Sequence, residues 1–202
     1  MKLQDYEISF DEKTHTYRTD DHKIISVTRL IHLDKPGKYQ GVSRDVLDKA
    51  AERGTELHNA IECYEKFGLE RADLEEFRNY RFLKNFFQFE VNASELMVLF
   101  KYRDIEIIGT ADMVIQYKGK LGLADLKRTS VLDKDYVCTQ LNLYRLGYQQ
   151  TYQQDVEILA AIHLRESKRK FMELPINEDY IRDLIDRHYE EIKEYERKGT
   201  DD

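Results

Sequence analysis

The chain has 202 residues, enough for one sizeable core, and a single domain over 1–202 is the expectation. Its 39 acidic and 32 basic residues give a formal charge of −7, which excludes a globally basic nucleic-acid binder; any polyanion site must be a local basic patch or depend on a metal ion. Hydrophobic residues make up 41% and charged residues 35%, no apolar run nears the roughly 20 residues of a membrane span, and the opening MKLQDYEISFDE lacks a signal-peptide core, so a soluble, globular, cytoplasmic protein is expected.

Residues 6–30 open with YEISFDEKTHTYRTDDHKIISVT, short apolar runs separated by polar turns, which predicts an antiparallel meander of two or three strands. A helix or helical turn over SVTRLIHL follows and stops at Pro36-Gly37. SRDVLDKAAERGTELHNAIECYEKFG predicts a long amphipathic helix, capped by Ser43 and ended by Gly68. Gly54 inside it implies close packing or a break, because glycine costs about 1 kcal/mol against alanine there. A second helix covers DLEEFRNYRFLKNFFQFE, with Leu74, Phe77, Phe82, Phe86 and Phe89 near helical spacing. Three strands follow, SELMVLFKY, IEIIGTADMVIQY and KLGLADLK, the last two joined by a tight turn at Tyr117-Lys118-Gly119-Lys120. DKDYVCTQLNLYRLGYQQTY is helical, VEILAAIHLR is a strand, KFMELPI is its hairpin partner, and one exposed amphipathic helix over 177–199 closes the chain, capped by Asn177. The order predicts an α/β or α+β domain on a mixed sheet, with its core over 43–175. The two cysteines, Cys63 and Cys138, sit far apart in apolar helical contexts and read as free thiols; two cannot ligate a four-thiolate iron–sulfur cluster.

One stretch carries charge where a core strand should not. The acid-x-lysine triplet occurs at 11, 21, 125, 166, 191 and 196, but only Asp125-Leu126-Lys127 lies within an apolar strand. It alone has a second lone acid, Asp112, in the preceding strand. Paired in a hairpin, the two carboxylates converge and repel unless a cation intervenes, and an oxygen-rich pocket of that kind suits Mg²⁺ or Mn²⁺. Lys127 shares a face with Asp125 and can meet the charge of a phosphate or orient a water. The bland alternative is a salt-bridged pair on a solvent-facing sheet. His58 and Glu62 share a helix face at i, i+4 spacing, as do Gln140 and Tyr144 in the helix after the triplet. The basic run RESKRK, residues 165–170, reads either as a solvated hairpin turn or as a DNA contact.

RGTELH (53–58), GTAD (109–112), DLKRTS (125–130) and QLNLY (140–144), in this order and spacing, resemble the RecB-type branch of the PD-(D/E)xK nucleases. SVTRLI (26–31) and SELMV (94–98) are similar to its flanking segments, particularly in small phage-type members, and the resemblance covers about residues 6–175. Ala111 stands where the family often has proline. The resemblance implies a restriction-endonuclease-like core, a central mixed sheet flanked by helices, and metal-dependent DNA hydrolysis, with an exonuclease serving replication, recombination or processing beside the proteins of those pathways as the expectation. It implies His58, Asp112, Asp125 and the Leu126 carbonyl as ligands of Mg²⁺ or Mn²⁺, Lys127 as the catalytic lysine, and Gln140 and Tyr144 as positioning groups. Ser26, Thr28, Arg53, Arg128 and Thr129 are the candidate DNA contacts. Relatives with an iron–sulfur cluster need more cysteines than this chain has. The rival expectation is a nuclease-fold binding module with weak or no cleavage.

Overall fold

In the computed structural model the described residues are 2–3, 6–11, 14, 16–19, 22–37, 41 and 43–197. Strands β1 (Lys2–Leu3) and β2 (Tyr6–Glu7) form a small antiparallel pair. The expected meander follows as β3 (Ser9–Asp11), β4 (Thr16–Arg18) and β5 (Lys23–Ser26). Its turn residues 12–13 and 20–21 lie outside the described residues. The chain passes from β5 directly into helix α1 (Val27–Asp34), where the Ser26 side chain accepts from the Arg29 N–H and supplies the cap. Helix α2 (Arg44–Phe67) ends at Gly68 in the left-handed region, as expected, whereas Ser43 occupies the N-cap position without a side-chain hydrogen bond.

Gly54 departs from expectation: α2 runs through it unbroken, and a β-carbon there would meet nothing within 4 Å. Helix α3 (Glu75–Phe87) also buries a different stripe from the one proposed. Phe77, Tyr80 and Leu83 are buried, while Phe82 and Phe86 are 47% and 69% exposed. At 100° per residue Phe82 stands about 140° around the helix from Phe77, so the two cannot share a face.

The sheet is built on β6 (Glu90–Tyr102), β7 (Ile105–Tyr117), β8 (Lys120–Lys127), β9 (Ile158–Arg165) and β10 (Lys168–Leu174). Pairings among these five are antiparallel except β8–β9, which are parallel and joined through helix α4 (Lys134–Tyr152). Together with the meander this is an eight-stranded mixed sheet flanked by helices. β7 is nearly continuous in apolar residues because both of its faces are covered. One face packs on α1 and α4 through Leu30, Val114, Leu123, Leu141 and Leu159; the other packs on α2 and α3 through Ile61, Phe77, Met113 and Ile162.

The edge of β7 opposite β6 is shared. Residues 113–117 pair with β8, residues 107–108 pair in parallel with β5, and residues 109–112 pair with neither. The sheet therefore forks at the segment Gly-Thr-Ala-Asp.

The closing helix is two helices, α5 (Glu178–Arg187) and α6 (Tyr189–Arg197), rather than one, and it is not simply exposed. Asp34, at the end of α1, accepts from Arg187 and lies 3.3 Å from the His188 ring, pinning the break. The bend buries Ile192 alongside Ile181, Leu184 and Ile185. The expected final turn at 198–199 lies outside the described residues. No described helix is long and apolar enough to cross a membrane.

Candidate active site

Met113↔Ala124 is the last register pair between β7 and β8 on the side of the fork. One step beyond it, where the strands separate, stand Asp112 and Asp125. Asp112 Oδ2 accepts from the Leu126 N–H at 2.7 Å, so a carboxylate replaces the missing strand partner. Asp125 is fully buried, and Lys127 Nζ donates to its Oδ1 at 2.8 Å. The expected shared face of the acid-x-lysine triplet is therefore present. Asp125 Oδ2 lies 2.7 Å from the same nitrogen, yet receives no hydrogen bond among the described residues. Burial raises the Asp125 pKa to about 6, against the pull of Lys127 and with the help of the neighbouring Asp112 charge. Burial acts to lower the Lys127 pKa, but Asp125 and Asp112 outweigh it and hold the ammonium charged.

Helix α2 delivers His58 to this point. Its Nε2 lies 3.3 Å from the Leu126 carbonyl oxygen and 3.9 Å from Asp112 Oδ2, and its Nδ1 lies 3.4 Å from Glu95 Oε1. Burial disfavours the imidazolium; Asp112, Glu95 and Asp125 together overcome this and raise His58 to about 9. Imidazolium and ammonium thus offset the clustered carboxylates. Glu62, proposed to share the His58 face, turns instead to Lys66 at 2.5 Å.

Glu95, not singled out in the sequence, reaches the site from β6. Ser94↔Met113 and Leu96↔Ala111 bracket it, which sets Glu95 across from Asp112. Its φ of 52° is left-handed, a cost of roughly 1–2 kcal/mol for a side-chain-bearing residue, and the ladder is irregular three residues earlier, between Val91 and Ala93. Ligand atoms of His58, Glu95 and Asp112 all lie within 4.8 Å of one another. The sequence held a signal for Glu95, since it directly precedes the apolar run Leu96–Phe100 of its strand.

From α4, Gln140 Nε2 donates to the Tyr144 hydroxyl oxygen at 2.9 Å, and Gln140 Oε1 is buried with no hydrogen-bond partner among the described residues. Burial, reinforced by Asp112, keeps Tyr144 a neutral phenol whose proton remains free to donate. Its ring lies so close over Gly109 that a β-carbon there would sit 2.6 Å from Cε1.

The five candidate nucleic-acid contacts separate into two groups. Ser26 and Thr28 line a cavity of about 680 Å³ with Tyr17, Thr110 and Tyr144, opening beside the fork. Arg53 and Arg128 line another of about 330 Å³ against α2 and α3. There the Arg128 guanidinium is only 12% exposed; its Nε donates to Glu76 at 2.7 Å, and Glu166 lies 3.6 Å away, so its charge is engaged within the protein. The Thr129 carbonyl lies 2.6 Å from His163 Nε2, tying the segment after β8 to β9.

No family model and no curated protein matches the chain. Among solved structures, a "putative exonuclease" from Eubacterium rectale is similar in fold, with a TM-score of 0.50 and 11% identity over 85% of this chain and 80% of that one. SSO0001 aligns at a TM-score of 0.48 and 18% identity over 83% of this chain and 75% of that one. At these identities the likeness is one of fold alone.

The donor set itself fits a divalent cation. It offers three carboxylates, one of them fully buried, together with a carbonyl and an imidazole. Cys63 and Cys138 are both free thiols, on α2 and α4.

Proposed function

We propose that the chain is a divalent-metal-dependent nuclease hydrolysing phosphodiester bonds in DNA, acting as an exonuclease in replication, recombination or DNA processing. One observation carries this reading: at the fork of β7 a fully buried Asp125, paired with Lys127, meets Asp112 and His58. Asp112, Asp125, the Leu126 carbonyl and His58 would hold Mg²⁺ or Mn²⁺. Glu95 would join them or, by accepting from Nδ1, keep the Nε2 lone pair free for the ion. When bound, such an ion supplies Lewis-acid stabilisation of the phosphate and a more acidic water.

The remaining work falls to the chain's own groups. Lys127, freed from Asp125, donates to a non-bridging phosphate oxygen or holds the attacking water. Tyr144 has its hydroxyl proton to give, because Gln140 already donates to its oxygen, and the unpaired Gln140 Oε1 offers an acceptor beside it. Ser26 and Thr28 would border the substrate strand on the Tyr144 side and Arg53 on the other, with Arg128 bracing that wall through Glu76; Thr129, just after β8, would contact it from the segment tied to His163.

The test is incubation of purified protein with end-labelled linear and circular DNA in Mg²⁺, Mn²⁺ or EDTA. Linear DNA is expected to be shortened from its ends with either ion and left intact in EDTA. Cleavage that survives EDTA, or none with either ion on single- or double-stranded DNA, overturns the reading.

A further inference from the structure

The open phenyl rings of α3 and the basic run of the β9–β10 turn, neither used by the active site, meet at one edge of the sheet. Phe82 and Phe86 are i, i+4 neighbours, 47% and 69% exposed, and stack with centroids 5.9 Å apart and planes 11° apart. The Arg169 guanidinium lies 3.7 Å over the Phe82 ring and donates to Asn79 Oδ1 at 2.9 Å, which holds it in place. Asn79 Nδ2 in turn donates to the Arg165 and Glu166 carbonyls at 2.8 and 3.1 Å, fastening the hairpin to α3. Lys168 and Lys170 flank Arg169 and are exposed, and none of the three forms an ion pair among the described residues. In a chain of net charge −7, this is a local concentration of unspent positive charge.

β10 is an edge strand, and lysines on such an edge discourage strand pairing. That accounts for the lysines but not for the rings, which favour association. Lys127↔His163 and His163↔Lys170 are register pairs, so Lys127 and Lys170 project from the same sheet face in one row across three strands, roughly 10 Å apart, whereas Arg169 and the two rings lie on the α3 face, and the two groups meet around the edge of β10. A cavity of about 590 Å³ lined by Asn79, His163 and the 166–170 turn opens at the same place.

We propose that this α3–β10 edge holds a single-stranded nucleic-acid segment, with Phe82 and Phe86 stacking bases, Arg169 taking a phosphate beside them, and Lys168 and Lys170 taking phosphates from the other face of the edge strand. The inference deepens the nuclease reading and rests on it. Bases in a duplex are already stacked and present no free face, whereas unpaired bases can use two coplanar rings beside cations without regard to sequence.

The test measures fluorescence anisotropy of labelled oligo(dT) and of a blunt duplex in EDTA, so that no cleavage intervenes. Wild type is compared with Phe82→Ala/Phe86→Ala, Phe86→Trp and Lys168→Ala/Lys170→Ala, with thermal melting as the check that each folds. The double alanine variant is expected to bind oligo(dT) about tenfold or more weakly and the duplex unchanged, while Phe86→Trp binds as wild type. The lysine variant is expected to flatten the salt dependence of oligo(dT) binding by about 1.4 in log–log slope. Unchanged oligo(dT) affinity in the double alanine variant, or Phe-dependent binding to phosphatidylserine vesicles with none to oligo(dT), overturns the proposal. If wild type cuts DNA but its oligo(dT) affinity ignores both rings, the surface is rejected and the nuclease reading stands. If the rings govern binding but neither ion supports cleavage, the surface stands and the nuclease reading falls.

Discussion

Lys127 balances a fully buried carboxylate, and in the proposed reaction it would also be the amine that meets a phosphate. Lys127→Ala is expected to lower DNA cleavage by about a hundredfold or more, the scale of losing one charge-stabilising donor, while Mn²⁺ binding survives because the carboxylates remain. Single-turnover rates and a metal titration check this; wild-type rates would make Lys127 a structural cation only. His58 gives the pH dependence. Its pKa is raised from 6.5 to about 9, so it stabilises the ion-free fold fully below pH 6.5 and ceases to do so as pH rises through 9. Asp125, raised from 3.8 to about 6 chiefly by burial, loses its contribution in the same direction between those values. The ion-free melting temperature should therefore fall between pH 6.5 and 9, and His58→Gln should remove that slope. A flat wild-type profile across the window would contradict the assignment.

At the scale of elements, the fork depends on one close approach. A β-carbon at position 109 would sit 2.6 Å from Tyr144 Cε1 and 3.2 Å from a Val27 methyl. Gly109→Ala is expected to displace the Tyr144 ring from the fork and to cost roughly 1–3 kcal/mol, as overpacking does, measurable by urea unfolding. Unfolding midpoints and cleavage both equal to wild type would mean that the ring moves aside freely. The β7–β8 hairpin was readable in sequence because its signals are local: apolar strands, a turn with Gly119 at φ 73°, and two acids standing alone among aliphatic residues. The Ser26 cap and the Gly68 stop were readable for the same reason. What was not legible is set by distant residues. Glu95 stands in the site from a left-handed position in β6, and the α5–α6 break is fixed by Asp34 from the far end of the chain. The near-helical spacing of Leu74, Phe77, Phe82, Phe86 and Phe89 does not define one face, because the angle between Phe77 and Phe82 leaves Phe82 and Phe86 exposed.

At the scale of the whole molecule, His58 from α2, Glu95 from β6, Asp112 from β7 and Asp125 from β8 converge only when the chain is folded. An ion bound there would stabilise the native state and not the unfolded one, by about 2.7 kcal/mol at 100 times its dissociation constant. The overall charge of −7 does not oppose a DNA substrate if that ion and the β10 edge supply positive charge locally. Binding at neutral pH must also displace the proton that the carboxylates hold on His58. The most direct test of the central claim is a calorimetric titration of Mn²⁺ into wild type and Asp125→Asn at pH 7.5 in buffers of different ionisation enthalpy. Saturable binding with release of about one proton is predicted for wild type, and loss of that binding for the variant. No saturable binding to wild type, or equal binding to both proteins, would contradict a metal-dependent site at the fork.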